Sequence, residues 1–93
     1  MDKVERINRG KKLFEEVQRQ NPCELNADSV SKIVYHEYFT SGHDDTGVTV
    51  SLQDADGNLL WKEIFYDDDD SEAWALTKYL EYRLHCPVEE IEL

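Results

Sequence analysis

Apolar residues recur at helical spacing in the first part of the chain and predict an amphipathic helix over residues 3–20. The stripe consists of Val4, Ile7, Phe14 and Val17, with Leu13 at its edge. Gly10 lies on the same stripe. Because a mid-helix glycine costs about 1 kcal/mol relative to alanine, it indicates either a close helix–sheet approach or a break. The residue before a proline is pushed out of the α region, so Asn21-Pro22 ends the helix.

The middle of the chain alternates between strand-like and turn-like segments. Residues 32–40 are rich in β-branched and aromatic types, and apolar and polar residues alternate over 48–53. A third strand is predicted over 59–66, after a hairpin turn in which Gly57 is free to take a positive φ. Two pairs compete for the buried face of this strand: Trp61 with Phe65, or Leu60 with Ile64.

A second helix is predicted over residues 71–85, and Pro87 ends it. Asp69 and Glu72 have the spacing of a capping box at its start. Its core stripe consists of Ala73, Leu76, Leu80 and Leu84. Nearly opposite lies a second stripe of Ala75, Tyr79, Tyr82 and Cys86. Either the helix is buried on two sides, or Tyr79 and Tyr82 are exposed beside acidic residues.

Together these elements predict one α+β domain over residues 1–93, in the order α-β-β-β-α. The three strands form an antiparallel meander with both helices on one face. Residues 88–93 either add a short fourth edge strand or fray. With 40% hydrophobic residues and 11% aromatic residues, the chain has enough apolar material to fold.

The sequence favours a cytoplasmic protein. It has no apolar run of the roughly 18–20 residues that cross a bilayer, and its start has no apolar segment typical of a secretory signal. Cys23 and Cys86 are far apart and form no CxxC pair, so we expect free thiols in a reducing compartment.

Charge is distributed unevenly along the chain. The net charge is −11 at neutral pH, and all of it falls in residues 41–93, because the acidic and basic side chains of residues 1–40 cancel. The first helix carries a basic cluster over residues 3–12. A large acidic field repels nucleic acid and membrane surfaces and attracts cationic proteins. Direct nucleic-acid binding and membrane binding are therefore disfavoured.

No motif predicts catalysis, a metal site or a cofactor. The acidic turn around Gly57 differs from a calcium-binding loop, because the glycine comes one acidic position too early. The cysteines and histidines show no metal-ligand spacing, and no phosphate-binding or nucleophile motif is present. With 21 acidic residues, paired carboxylates are mostly solvated surface. We expect a protein that is not an enzyme and holds no metal or cofactor.

The acidic run Asp67–Asp70, just before the second helix, is the strongest candidate for function. A helix cap accounts for one or two of these four carboxylates, and a partner with Lys or Arg side chains accounts for the rest. Tyr and Trp are common interface anchors. The predicted partner-binding residues are Asp44, Asp45, Asp54, Asp56, Asp67, Asp68, Asp69, Asp70, Glu72, Trp74, Tyr79 and Tyr82. We expect the acidic loops among them to line up like a row of phosphates on one side of the molecule.

In size, acidity and α/β layout the chain resembles the small acidic inhibitors encoded by phages and mobile elements, which include anti-CRISPR and anti-restriction proteins. The resemblance rests on Asp67-Asp68-Asp69-Asp70, Asp44-Asp45 and Asp54-x-Asp56. Several such inhibitors present carboxylates where DNA phosphates would bind. The resemblance implies a protein that occupies the nucleic-acid channel or target-recognition surface of a defence nuclease complex. The basic first helix departs from the evenly acidic pattern of DNA mimics. An alternative to mimicry of DNA is therefore a simpler electrostatic clamp, in which the acidic loops hold a basic partner by charge.

The leading hypothesis is therefore an acidic inhibitor that docks on a basic, nucleic-acid-binding surface of a partner protein or nucleoprotein complex. One alternative is a non-catalytic interaction subunit or a homodimeric module built on the edge strand or the tyrosine stripe. Another is an immunity protein against a nuclease toxin. The chain is expected to be a monomer or a homodimer.

Overall fold

The structure, a computed structural model, describes residues 3–22, 26–39, 46–66 and 70–91. Within these ranges the chain forms two helices and one four-stranded sheet, which confirms the predicted α+β class. The elements are, in chain order, α1 (Lys3–Gln18), β1 (Lys32–Phe39), β2 (Thr46–Gln53), β3 (Leu59–Tyr66), α2 (Asp70–Leu84) and β4 (Val88–Ile91).

The sheet has the strand order β3-β2-β1-β4. The antiparallel pairs β1–β2 and β2–β3 form the predicted meander. The fourth strand exists, but it runs parallel to β1, with Val88 opposite Ile33. The sheet is therefore mixed, and the expectation of a purely antiparallel meander was wrong. The reason is the path of α2, which returns from the end of β3 to the end of the sheet where β1 begins.

Helix α2 is the centre of the molecule. Its predicted core stripe, Ala73, Leu76, Leu80 and Leu84, is buried in the main hydrophobic core with the sheet residues. On another side, Ala75 and Tyr79 are buried as well, at 1% and 4% exposure, where α1 packs against the helix. Of the two predicted arrangements, burial on two sides is correct as far as Tyr79. Both helices lie on one face of the sheet, with α2 between the sheet and α1.

The two helices meet at Gly10. A Cβ placed on this residue would lie against the backbone oxygen of Ala75 and 2.6 Å from the Cβ of Tyr79, closer than real Cβ contacts. Gly10 therefore marks a close helix–helix approach within an unbroken helix, and the predicted alternatives of a helix–sheet approach or a break were wrong. A glycine is needed here because only it lets the two backbones come together.

The register of β3 is settled by burial. Trp61 is 7% exposed and Phe65 packs against the core, whereas Leu60 is 46% and Ile64 36% exposed. The Trp61 ring meets the Phe14 ring edge-on, with centroids 6.5 Å apart. The Trp61 indole Nε1 also donates to the backbone oxygen of Asn21 at 3.2 Å. This bond ties the end of α1 to β3.

Helix α2 ends with a left-handed residue. His85 has φ 53°, and its N–H donates to the carbonyl of Glu81 at 2.9 Å. At the carboxyl end of a helix, the residue with this conformation is usually a glycine. Pro87 follows two residues later, and its carbonyl accepts from the N–H of Ile33 at 2.9 Å, which begins the parallel pairing of β4.

Candidate protein-binding site

Two of the three acidic segments connect at the same end of the sheet. Phe39 lies opposite Thr46, and Gly47 lies opposite Tyr66, so β1 ends, β2 begins and β3 ends together. We call this end, formed by Phe39, Thr46 and Tyr66, the acidic end. The chain between Phe39 and Thr46 contains Asp44 and Asp45, and the chain from Tyr66 to the start of α2 contains Asp67, Asp68, Asp69 and Asp70. The first five of these aspartates lie outside the described residues, and Asp70 begins α2.

The third acidic segment lies at the opposite end of the sheet. Asp54 and Asp56 belong to the β2–β3 turn, and each flanking strand has eight residues, which span about 23 Å at ~3.3 Å per residue. These two aspartates therefore do not extend the row that would begin at the acidic end. The prediction that all the acidic loops share one surface was wrong for Asp54 and Asp56.

Asp54 stabilises its own turn. One carboxylate oxygen accepts from the N–H groups of Asp56 and Asn58 at 2.9 and 2.8 Å, and the other accepts from the Asn58 side-chain amide at 3.1 Å. These bonds, above all those from Asn58, hold the pKa of the Asp54 carboxyl below its ordinary value of 3.8. The residue therefore has a local structural task, which the sequence prediction missed.

Glu72 forms an ion pair with Arg9 of α1. The two side chains are 34% and 41% exposed, so the pair sits at the rim of the α1–α2 contact and is screened by solvent. The carboxylate predicted to meet a partner is thus neutralised within the chain. The capping box predicted with Asp69 involves a residue outside the described ranges.

Trp74 is half-buried. Its ring meets the Tyr35 ring edge-on at a centroid distance of 5.1 Å. The Lys78 Nζ lies 4.8 Å from the Trp74 ring centroid, a distance at which a cation and an aromatic face attract each other. Much of this ring is therefore already occupied by intramolecular contacts.

The two tyrosines predicted as anchors have different environments. Tyr79 is 4% exposed, its ring lies 5.7 Å from that of Phe14, and its hydroxyl accepts from Arg83 at 2.9 Å. Tyr79 is a core residue, and its prediction as an exposed partner contact was wrong. Tyr82 is 58% exposed and remains available to a partner.

Tyr82 lies among cations rather than carboxylates. It lines two hollows between α1 and α2, of about 350 and 360 Å³, which share Ile7 and Tyr82 in their lining. We call these hollows together the basic groove. Its apolar lining consists of Val4, Ile7, Tyr79 and Tyr82. Its cations are Lys3, Arg6, Lys11, Lys78 and Arg83, beside one carboxylate, Glu81.

The basic groove was missed by the sequence prediction, which placed the exposed tyrosines beside acidic residues. The available signal was the basic cluster over residues 3–12 together with Lys78 and Arg83, which flank Tyr82 in sequence. Pairing those two signals requires knowing that α1 crosses α2. Val4, predicted as part of the buried stripe, is 67% exposed in this groove.

Strand β3 forms one edge of the sheet, and apolar side chains are exposed along it. Leu59 is 55% exposed, and Leu60 and Ile64 are partly exposed as well. The Asn21 side-chain amide donates to the Lys62 carbonyl at 2.7 Å and to the Glu63 carboxylate at 2.9 Å. Asn21 therefore covers the middle of an edge that would otherwise offer its backbone to another strand.

Cys86 is a free, half-buried thiol. Desolvation by its surroundings raises its pKa above the ordinary value of 9.0, so the thiol is neutral near pH 7 and a weak nucleophile. Cys23 lies outside the described residues. Among the described residues, no three His, Cys, Asp or Glu side chains group closely enough to hold a metal ion. Neither α1 nor α2 has the length and apolar character of a membrane-spanning helix.

Comparisons with known proteins identify no relative. No protein-family model, curated protein sequence or solved structure matches the chain.

Proposed function

We propose that the protein is a non-catalytic, acidic binding protein of the cytoplasm. It docks on a basic, nucleic-acid-binding surface of a partner, such as a CRISPR or restriction nuclease complex, and inhibits that partner by occupying the surface. The acidic end of the sheet makes the contact. Direct binding to nucleic acid is disfavoured, because a chain of net charge −11 repels a polyanion.

The connectivity of the sheet is the observation that supports this proposal. Three strand ends meet at the acidic end, and the two chain segments that leave it contain six aspartates and no lysine or arginine. The cations of the basic groove lie farther along the molecule: on α2, Lys78 is eight residues from Asp70, about 12 Å at 1.5 Å per residue. The charge is thus separated along the molecule, which favours electrostatic orientation of a partner.

A second candidate function is a homodimer built on the β3 edge. Leu59, Leu60 and Ile64 are exposed there, and neighbouring apolar side chains on a surface can pack against the same side chains of a second copy. Sedimentation at micromolar concentrations tests this candidate. A tight dimer that Leu60→Lys dissociates supports it, and a monomer at all concentrations rejects it.

The leading proposal is tested by capture from a host lysate at about 50 mM and about 500 mM salt, followed by mass spectrometry. We expect the protein to retain a basic nucleic-acid-binding protein at low salt and to release it at high salt. Added duplex DNA should compete for that partner. If the amount of captured partner changes neither with the salt concentration nor with added DNA, the proposal is contradicted.

A further inference from the structure

The basic groove combines an apolar floor with a charged rim. Ile7 and the buried Tyr79 form part of the floor, while Val4 and Tyr82 stand at its sides, exposed at 67% and 58%. Each hollow is large enough for one apolar side chain and part of its backbone. Exposed aliphatic and aromatic groups beside each other mark contact sites more often than isolated ones do.

The rim cations are largely uncompensated. Lys78 pairs with Glu81 at 3.3 Å, and Arg83 donates to the Tyr79 hydroxyl. In the part of the chain that the structure describes, Lys3, Arg6 and Lys11 form no ion pair. A protein with 21 acidic and 10 basic side chains therefore gathers half of its cations around one exposed tyrosine, and among the described residues that line the groove Glu81 is the one carboxylate.

We propose that the basic groove is a second docking site, which binds an acidic linear segment of another protein. The segment places an apolar side chain in a hollow beside Tyr82, and its carboxylates meet Lys3, Arg6 and Lys11. Together with the acidic end, this site makes the protein a bridge between a basic partner and an acidic one. Binding at the basic groove is independent of the proposed function, because it uses different residues of the molecule. The bridging role rests on the proposed function.

Charge and shape favour an acidic peptide over the other occupants. A long nucleic acid would extend beyond the groove into the acidic field of the whole molecule, whereas a short peptide responds mainly to charges within a Debye length of about 8 Å. The apolar hollows fit aliphatic or aromatic side chains. A second copy docked symmetrically through Tyr82 would place Lys3, Arg6 and Lys11 of both copies face to face, and such like-charge contacts cost affinity.

The test is fluorescence-polarisation binding of a labelled peptide of about ten residues, in which glutamates flank a central leucine–phenylalanine pair. We expect saturable binding at low salt. Arg6→Glu and Lys11→Glu should each weaken it about tenfold, and Tyr82→Ala should weaken it by a similar factor of about ten. Lys12→Glu is the matched control, since Lys12 is exposed on the same helix, does not line the groove and carries the same change in charge.

Comparison probes distinguish the occupants. An all-glutamate peptide of equal length should bind more weakly than the peptide with the apolar pair, because it has no group for the hollows. Three results would overturn the proposal: equal losses for Lys12→Glu and Arg6→Glu, tighter binding of a thymidine oligonucleotide than of the peptide, or sedimentation showing a homodimer that Tyr82→Ala dissociates. Unchanged thermal unfolding of each variant confirms that a loss of binding is not a loss of fold.

Discussion

Gly10 of α1 lies directly against the backbone carbonyl of Ala75 in α2. This contact sets where the two helices cross, and it brings the amino-terminal turns of α1 alongside the second half of α2. The positions of Arg9 beside Glu72 and of Val4 near Tyr82 follow from the same crossing. One residue without a side chain therefore determines which charges and which tyrosine share a surface.

Replacing Gly10 with alanine tests this crossing. The added methyl group gains about 1 kcal/mol of helix propensity, but overpacking against a backbone atom costs about 2–3 kcal/mol, at the upper end of the usual range, because the helix as a whole must shift. We expect Gly10→Ala to lower the free energy of unfolding by about 1–2 kcal/mol in urea denaturation. Lys12→Ala, on the exposed side of α1, should change it by less than about 0.5 kcal/mol. A Gly10→Ala protein as stable as the wild type would show that the helices do not meet here.

Substitutions at the two tyrosines of α2 should lower the free energy of unfolding by different amounts. Tyr79 is buried between α1 and the core, so Tyr79→Ala should cost about 3 kcal/mol or more. Tyr79→Phe keeps the ring and loses only the hydrogen bond from Arg83 to the hydroxyl, so it should lower the free energy of unfolding by about 0.5–1.5 kcal/mol. Tyr82→Ala should cost less than about 1 kcal/mol, because most of its ring is in solvent. Chemical denaturation of the three variants gives the order, and a larger loss at Tyr82 than at Tyr79 would invert the assignment.

The left-handed conformation of His85 predicts a stabilising substitution. A residue with a Cβ at φ 53° is strained by roughly 1 kcal/mol relative to glycine. His85→Gly should therefore raise the free energy of unfolding by up to about 1 kcal/mol, less the extra backbone freedom that glycine has in the unfolded chain. The control is Arg83→Gly, which lies inside the helix and should be destabilising by about 1 kcal/mol through helix propensity and further through the lost bond to Tyr79. If both glycines destabilise equally, His85 does not end the helix as described.

Asp54 predicts an acid-dependent contribution to stability. Its carboxyl pKa is lower in the folded protein than the ordinary 3.8, chiefly because of the bonds from Asn58. The ionised carboxylate therefore stabilises the fold above pH 3.8, and that stabilisation is lost as the pH falls through the folded-state pKa. We expect the melting temperature of wild type to exceed that of Asp54→Ala at neutral pH, with the difference shrinking on acidification below pH 3.8. The control is Asp56→Ala, because the Asp56 side chain makes no bond in this turn. If the difference in melting temperature between wild type and Asp54→Ala did not change with pH, the charge of Asp54 would have no role in stability.

Local patterns were sufficient for most of the secondary structure. The alternation over 48–53 and the turn at Gly57 place β2 and β3 within two residues of their observed ends. The register of β3 was not determined by those patterns, because Leu60, Trp61, Ile64 and Phe65 are all apolar, and only packing against Phe14 selects one face. The parallel placement of β4 depends on the return path of α2, which is a property of the whole chain.

The candidate site was less predictable than the fold, because the charge of a surface depends on which helices and strands pack beside each other to form it. The tyrosine stripe of α2 was visible in the sequence, but its division into a buried Tyr79 and an exposed Tyr82 depends on the position of α1. Asp54 and Asp56 were grouped with the other aspartates by composition alone. Strand direction separates them, since the β2–β3 turn and the acidic end lie at opposite ends of the sheet.

In the proposed function, the acidic end orients the protein on a basic partner. The most direct measurement is the affinity for the captured partner after Asp67, Asp68, Asp69 and Asp70 are all replaced by asparagine, which can still cap a helix. The control removes four exposed charges elsewhere, through Glu15→Gln, Glu16→Gln, Asp28→Asn and Glu90→Gln. We predict that the asparagine variant loses about tenfold or more in affinity at low salt, largely through slower association, while the control loses less than about threefold. An asparagine variant that binds as tightly as the wild type would contradict the claim.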